Sequence, residues 1–245
     1  MQGISDITAV ILAGGLGTRL QSVVPDKPKV LAEISGRPFL AYLLEQLSCS
    51  GVRKVVLCSG YMANKVEECF EETYKTLRLL YSREEQPLGT GGALRLALPR
   101  FWSDTVLVMN GDSYMDADIA VYVDRFLRKG CQAALILTKV PDTARYGRVT
   151  IDENENITAF DEKGTGSGPG WINAGIYLMK KSLIASIPTG RPYSLERELL
   201  PALAGRELSG FCCEGRFIDI GTPESYTEAE DFFAGKEPDK RCRLL

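Results

Sequence analysis

The run Thr8-Ala-Val-Ile-Leu-Ala-Gly-Gly-Leu-Gly-Thr-Arg-Leu20, with Lys27-Pro28-Lys29 just beyond it, constrains this chain more than any other stretch. Thr8 to Leu12 is a short apolar, partly β-branched run that reads as a buried strand, and the glycines after it mark where it stops. Gly14, Gly15 and Gly17 have no side chains to block the backbone amides, so those amides can curl around an anion. Two common glycine motifs do not fit. A dinucleotide fingerprint needs a third glycine where Gln21 stands, and a Walker A loop needs a lysine directly after its last glycine. What remains is a glycine-rich turn, Arg19, and a lysine pair stiffened by Pro25 and Pro28, so that its charge can be aimed. A plain strand-to-loop turn with solvated surface cations explains the same residues, and the stretch alone leaves both readings open.

The rest of the chain supplies alternation. Pro38 to Leu47 has helical spacing with proline at its opening. Val52 to Cys58 reads as a strand, Met62 to Tyr74 as an acidic solvated helix, and Leu77 to Tyr81 as a third strand. Strand, helix and strand at these intervals predict βαβ units and a mostly parallel sheet. Gly89-Thr-Gly-Gly92 opens a helix over Ala93 to Leu98, and the glycines there permit close approach by something flat or charged, or form only a turn. Thr105 to Met109 is an apolar strand running into Asn110-Gly111-Asp112, followed by a helix over Asp116 to Arg128 and a strand over Ala133 to Lys139. From Tyr146 the texture changes to a hairpin, Tyr146 to Ile151 with Ile157 to Phe160, and then a loop rich in glycine. Trp171 to Leu178 is a strand, Ser194 to Leu203 a helix, and Gly210 to Cys213 and Arg216 to Ile218 two last strands. A helix capped by Thr222, with Pro223 at its first position, runs to Phe233.

Composition narrows the chemistry. With 245 residues the chain can bury roughly 70 to 75 % of its unfolded surface, enough for one large α/β core or one core with a small annex. A net charge of -3 gives no broad cationic field for nucleic acid. There is no histidine, which removes the commonest general base, the Ser-His-Asp triad and an ordinary zinc site together. Seven irregularly spaced cysteines lead to an expectation of buried free thiols in a reducing compartment. Met1 to Asp6 lacks the charge and apolar core of a secretory signal, and no apolar run reaches spanning length, so a cytoplasmic protein without membrane partners is expected.

Chemistry must therefore rest on carboxylates, lysine, arginine or metal. Asp112 and Asp219 each end an apolar run beside a glycine, which presents a carboxylate at a strand end, where ligands of open α/β sheets bind. Magnesium takes hard oxygen ligands and often uses one or two carboxylates plus substrate phosphates. A turn-capping Asp112 and a solvated Asp219 remain the alternative on these residues alone.

The signature Leu12 to Leu20 followed by Lys27-Pro-Lys-Val-Leu31 resembles that of the nucleotide-sugar pyrophosphorylases, which are sugar 1-phosphate nucleotidyltransferases. The likeness continues through Ser22 to Lys29, Glu84 to Ala93, Asn110 to Ser113, Arg145 to Val149, Glu162-Lys163, Ile172 to Tyr177 and Phe217 to Tyr226. Within the family it is to the heptose 1-phosphate guanylyltransferases. It implies a Rossmann-like, mostly parallel mixed sheet flanked by helices, of nucleotide-diphospho-sugar transferase type, with a small antiparallel sugar-side lobe. One domain over residues 1–245 is expected, with a nucleotide-binding half over about 1–140, a sugar-side half and closing helix over about 141–234, and a tail over 235–245.

The reaction so implied is transfer of GMP from GTP to D-glycero-alpha-D-manno-heptose 1-phosphate, releasing pyrophosphate, in nucleotide-sugar synthesis for lipopolysaccharide or another cell-surface polysaccharide. The resemblance makes Arg19, Lys29, Asp112 and Lys163 catalytic, and Asp112 with Asp219 the ligands of Mg2+. It places the nucleotide on Leu12, Ala13, Gly14, Gly15, Gly17, Thr18, Arg19, Lys29, Glu84, Glu85, Pro87, Gly89 and Thr90. The planar fork of Arg19 suits the β and γ phosphates, and Lys29 is placed at the α phosphate. Glu84 and Glu85 favour guanine, which shows a pair of donors that uracil and thymine lack. On the sugar phosphate side stand Asn110, Gly111, Tyr146, Gly147, Glu162, Lys163, Asn173 and Gly175, with Tyr146 expected to pack rather than bond. Mannose 1-phosphate guanylyltransferases and other sugar 1-phosphate uridylyl- or thymidylyltransferases share most of these motifs. Two further readings stay open: a glycosyltransferase using Asp116-Ala-Asp118 as its D-x-D motif, and a non-catalytic nucleotide-sugar-binding regulator. The partners expected are small molecules, and enzymes of this kind often self-associate.

Overall fold

The computed structural model describes residues 3–161 and 167–234. The strands and helices in chain order are β1 Thr8–Leu12, β2 Glu33–Ile34, β3 Arg37–Pro38, α1 Phe39–Cys49, β4 Lys54–Ser59, α2 Ala63–Phe70, β5 Thr73–Tyr74, β6 Leu77–Arg83 and α3 Gly89–Ala97. There follow β7 Thr105–Asn110, β8 Ser113–Met115, α4 Ile119–Lys129, β9 Ala133–Val140, β10 Val149–Ile151, β11 Ile157–Phe160 and β12 Gly170–Lys180. The chain then runs through α5 Lys181–Ala185, α6 Leu200–Leu203, β13 Leu208–Cys213, β14 Phe217–Asp219 and α7 Pro223–Phe233.

At the centre β1 lies between β4 and β7, parallel to both, and β6 extends the parallel set beyond β4. Successive apolar residues of β1 face two different apolar layers. Ala9 and Ile11 point into the layer built with α1, α4 and α7, whereas Val10 points into the layer built with α3 and the segment from Ile184 to Leu200. That two-sided burial is why the run reads as continuously apolar. The sheet turns mixed at β12, which runs antiparallel to β7 on one side and to β9 on the other, while β13 continues parallel to β9. The expected fold is the one observed, including the antiparallel β10–β11 pair, which joins β12 only through Val149 opposite Trp171.

Several element boundaries differ from expectation for identifiable reasons. The helix from Met62 stops at Phe70, because Glu71 turns to φ 49° and sends Thr73–Tyr74 back as a strand antiparallel to β6. The glycines 89–92 lie inside α3 rather than before it. The helix expected from Asp116 begins at Ile119, with the Asp118 carboxylate accepting the Val121 N–H as its cap. The hairpin expected from Tyr146 is regular only from Val149. Cys49 is disulfide-bonded, against the expectation of free thiols; an odd count and irregular spacing say nothing of which sulfurs folding brings close. Five others are free, among them buried Cys58, whose thiol burial pushes up to about 12, and exposed Cys69. Among the described residues no helix is long and apolar enough to cross a membrane.

Candidate active site

The carboxyl ends of β1, β4, β6 and β7 open on one edge of the sheet, and the crossing of the chain just beyond β7 sets the site. Gly111 donates its N–H to the Leu12 carbonyl at 2.9 Å, and a methyl group there would come within 2.5 Å of that oxygen. The close approach carries Asp112 over the end of β1. Next, β8 pairs antiparallel with β14, Ser113 opposite Asp219, and Ile220 N–H donates to the Asp112 carbonyl at 2.9 Å. Two aspartates more than a hundred positions apart in the chain are thereby brought side by side.

Lys29 reaches the Asp112 side of this pair. It starts a short 3-10 turn, Lys29–Leu31, directly after Pro28, and Gly17 folds over its stem. Its Nζ donates to Asp112 Oδ2 at 2.8 Å, with the lysine side chain only 11 % exposed against 46 % for the aspartate. A methyl group on Gly221 would lie 3.5 Å from that Nζ and 2.6 Å from Asp219 Oδ1. Among the described residues no group of three or more His, Cys, Asp or Glu forms a metal cage. The donor set is two carboxylates, one partly open, which suits a hard cation that completes its shell with water and phosphate oxygens.

Asp219 is held more tightly than Asp112. Its Oδ1 accepts from Arg145 Nη2 at 2.6 Å and from its own Gly221 N–H at 2.8 Å, and its Oδ2 accepts from the Tyr146 hydroxyl at 2.6 Å. The carboxylate curls back onto the N–H two residues on, an Asx turn that leaves no room for a side chain at Gly221. Tyr146 packs edge-on against Phe217, as a packing residue would, but it also bonds. Burial, and next the bond to Asp219, push its hydroxyl well above the usual tyrosine range.

The residues expected on the nucleotide side lie at the same edge. Gly15, Thr18 and Arg19 are exposed, Leu12, Gly14 and Gly17 half-buried and Ala13 buried. Arg19 makes no ion pair among the described residues. Glu84, at the end of β6, lays its carboxylate against Gly14 and Gly60, so close that a methyl on Gly14 would meet Oε1 at 2.3 Å. Burial pushes this carboxyl above the ordinary glutamate range, offset in part by the Leu88 N–H at 3.0 Å on Oε2. Glu85 and Pro87 are exposed. The close approach that Gly89 and Gly91 allow is taken up by the chain itself: Tyr193 O accepts from Gly91 and Gly92 N–H at 2.9 and 3.2 Å. Thr90 Oγ1 donates to Glu196 and accepts from the Leu195 N–H.

On the sugar side, Glu162 and Lys163 lie outside the described residues. The Gly147 N–H donates to the Thr143 carbonyl at 2.9 Å. Asn110 and Asn173 both donate to the fully buried Tyr177 hydroxyl, at 3.3 and 2.9 Å, which in turn donates to Glu196 Oε1 at 2.9 Å. Gly175 N–H donates to Asn173 Oδ1. Asn110 Oδ1 is buried with no hydrogen-bond partner among the described residues. Sequence reasoning missed Glu196 and Arg145. A tyrosine in the apolar strand Ile172 to Leu178 signals a buried hydroxyl that needs an acceptor, and Arg145 sits inside the R-Y-G stretch; neither signal names its partner. The D-x-D candidate is answered by geometry, since Asp118 caps α4.

Known proteins fit this architecture. The nucleotidyl transferase family profile matches residues 8–236. A D-glycero-alpha-D-manno-heptose 1-phosphate guanylyltransferase of Campylobacter jejuni is 35 % identical over 218 residues, 89 % of this chain and 96 % of its own length. A mannose-1-phosphate guanylyltransferase of Mycobacterium tuberculosis is 34 % identical, covering 97 % of this chain and 67 % of that protein. Crystal structures of HddC from Yersinia pseudotuberculosis, one of them complexed with GMP-PN, are 36 % identical and superpose with a TM-score of 0.83 over 93 % of this chain and 99 % of theirs.

Proposed function

The chain belongs to the nucleotidyl transferase family, and from that premise we propose that it transfers GMP from GTP to D-glycero-alpha-D-manno-heptose 1-phosphate, giving GDP-heptose and pyrophosphate. The observation that carries the reading is the convergence of Lys29, Asp112 and Asp219 at the edge where Gly14 to Arg19 leave the sheet. The guanylyltransferases named above support the nucleotide, and the heptose enzyme, which the chain covers almost end to end, supports the sugar.

A sugar 1-phosphate oxygen attacks the α phosphorus; a new P–O bond forms as the bond to the bridging oxygen of pyrophosphate breaks. The nucleophile is already an anion near neutral pH, so a chain without histidine lacks nothing for this step. Repulsion between the anions is the obstacle, and fixed cations and amides overcome it. The amides of Ala13 to Thr18 and the Arg19 fork receive the β and γ phosphates. Lys29, held at the site by Asp112, serves the α phosphate and follows the shift of charge onto the leaving group. Lys163 is assigned to the sugar phosphate. Asp112 and Asp219 would hold Mg2+, which supplies Lewis acidity and neutralises phosphate charge. Glu84, desolvated between two glycines, is assigned to accept from the guanine donors, and Asn110 Oδ1, without a partner among the described residues, to accept from a sugar hydroxyl.

A matrix of nucleoside triphosphates against heptose, mannose and glucose 1-phosphates, read by pyrophosphate release, tests this. GTP with the heptose 1-phosphate should turn over fastest. Faster turnover of uridine or deoxythymidine triphosphate would sink the guanine reading. Preference for mannose 1-phosphate would favour the second reading, a mannose 1-phosphate guanylyltransferase, which the mycobacterial relative supports.

A further inference from the structure

The R-Y-G stretch, expected on the sugar side, reaches the site through Asp219. A carboxylate offers about four lone-pair positions. On Asp219, Oδ1 receives two donors, Arg145 and the Gly221 N–H, and Oδ2 receives one, the Tyr146 hydroxyl. One acceptor position therefore remains, on Oδ2, and the group cannot turn about its Cβ–Cγ bond without breaking a charge-assisted hydrogen bond. The holders are themselves held. Arg145 Nη2 also donates to Ser225 Oγ at 2.9 Å on α7, its guanidinium lies 5.2 Å from the Tyr146 ring, and that ring rests on Phe217 two positions before Asp219. The segment is closed by hydrogen bonds from the Tyr146 and Gly147 N–H groups to the Thr143 carbonyl. Asp112, in contrast, has Lys29 as its side-chain partner and is nearly half exposed.

Resting on the reading that Asp112 and Asp219 hold a divalent cation, we propose that Tyr146 is a positioning residue for Asp219. Its hydroxyl, opposed by Arg145 and the Gly221 N–H, fixes the carboxylate at two points and leaves one acceptor position for the ion. Without the hydroxyl, Oδ2 loses its one donor and the carboxylate is held only through Oδ1, so the ion must order an oxygen that the wild-type enzyme presents already ordered. Outer partners of metal ligands typically contribute 10- to 100-fold in metal affinity.

Tyr146→Phe removes the hydroxyl and keeps the ring on Phe217. The test is calorimetric titration of GTP into the protein, without sugar phosphate, once without divalent cation and once with saturating Mn2+; the ratio of the two dissociation constants is the metal-dependent gain. Tyr146→Phe should keep the metal-free constant within about twofold and lose roughly 10-fold of the gain. An unchanged gain overturns the proposal. So does a parallel loss of metal-free affinity, or a fall in Tm of more than a few degrees, because either would mean that the hydroxyl serves the fold. Asp219→Asn separates the two layers of inference. If it retains the full gain, the metal reading itself is wrong; if it loses the gain while Tyr146→Phe keeps it, only the role of Tyr146 falls.

Discussion

The loop after β1 and the β8–β14 pair both bring functional residues to one edge, and they are built in opposite ways. Between Gly14 and Pro28 the backbone makes only a few local bonds, Gly15 has no atom within 4 Å of where a Cβ would stand, and Leu16 and Val23 are 46 % and 50 % exposed. At β8–β14 a ladder, an Asx turn, an arginine and a tyrosine fix Asp219. On the proposed reading the loop closes around phosphates, whereas the contacts that fix Asp219 are all made within the chain. Preorganised charge belongs on the side where the transition state needs it at no reorganisation cost, and adaptable amides belong on the side that must admit a flexible triphosphate.

That contrast is most exposed at Asp112. Asp112→Asn removes the charge while its backbone carbonyl still accepts from Ile220, so Tm and far-UV circular dichroism should stay close to wild type. Magnesium-dependent kcat should fall by about 10²- to 10³-fold. Near-normal turnover would break the comparison, since the preorganised side would then hold nothing the reaction needs. Lys29→Ala ranks next, because Lys29 belongs to both regions: Gly17 of the loop covers its stem and Asp112 holds its head. A loss of about 100-fold in kcat, about 2.7 kcal/mol, is expected. A loss confined to KM would put Lys29 on the adaptable side as a ground-state contact.

The same division governs what the sequence discloses. The strand and the turn of Thr8 to Lys29 are legible, because a buried apolar run ending in glycines marks its own boundary, while the residues alone fit a plain loop as well as an anion cradle. The parallel strands β1, β4, β6 and β7, the Pro38 start of α1 and the Thr222 cap of α7 are legible for equally local reasons. The wiring of Asp219 is not, because Arg145, Tyr146 and Ser113 reach it from segments about 75 to 105 positions away, and hydrophobic periodicity carries no information about polar partners. Three-residue β8 is too short to show a period at all. The glycines 89–92 allow a close approach without naming what approaches, and one occupant is Tyr193 of the same chain.

Glu84 gives a smaller effect and a pH signature. Glu84→Gln should lower kcat/KM for GTP by about 10-fold, the scale of one hydrogen bond to a charged group, and leave the uridine nucleotide unaffected. Burial raises the Glu84 carboxyl, so its neutral form persists to higher pH than on a surface glutamate. In wild type, KM for GTP should therefore rise as pH falls toward the carboxylate range, and this limb should be missing in Glu84→Gln. A pH profile identical in the two proteins would remove Glu84 from base recognition.

The finest test sets one glycine of each kind side by side. In Gly91→Ala the new methyl would come within 2.7 Å of Tyr193 Cδ1 and 3.1 Å of Tyr193 O, so the segment around Tyr193 must shift, at about 1–3 kcal/mol. The better helix propensity of alanine offsets about 1 kcal/mol of that. In Gly15→Ala the methyl meets nothing, and stability should move by no more than about 0.5 kcal/mol. Yet a methyl on an amide cradle stands where phosphate oxygens must approach, so KM for GTP should rise a few-fold in Gly15→Ala. Thermal melts and GTP kinetics on both proteins separate the cases: a glycine kept for the fold changes Tm, and one kept for a ligand changes KM. If Gly15→Ala leaves KM as it was, the loop after β1 does not cradle the triphosphate, and the distinction between an adaptable and a preorganised half loses its first member.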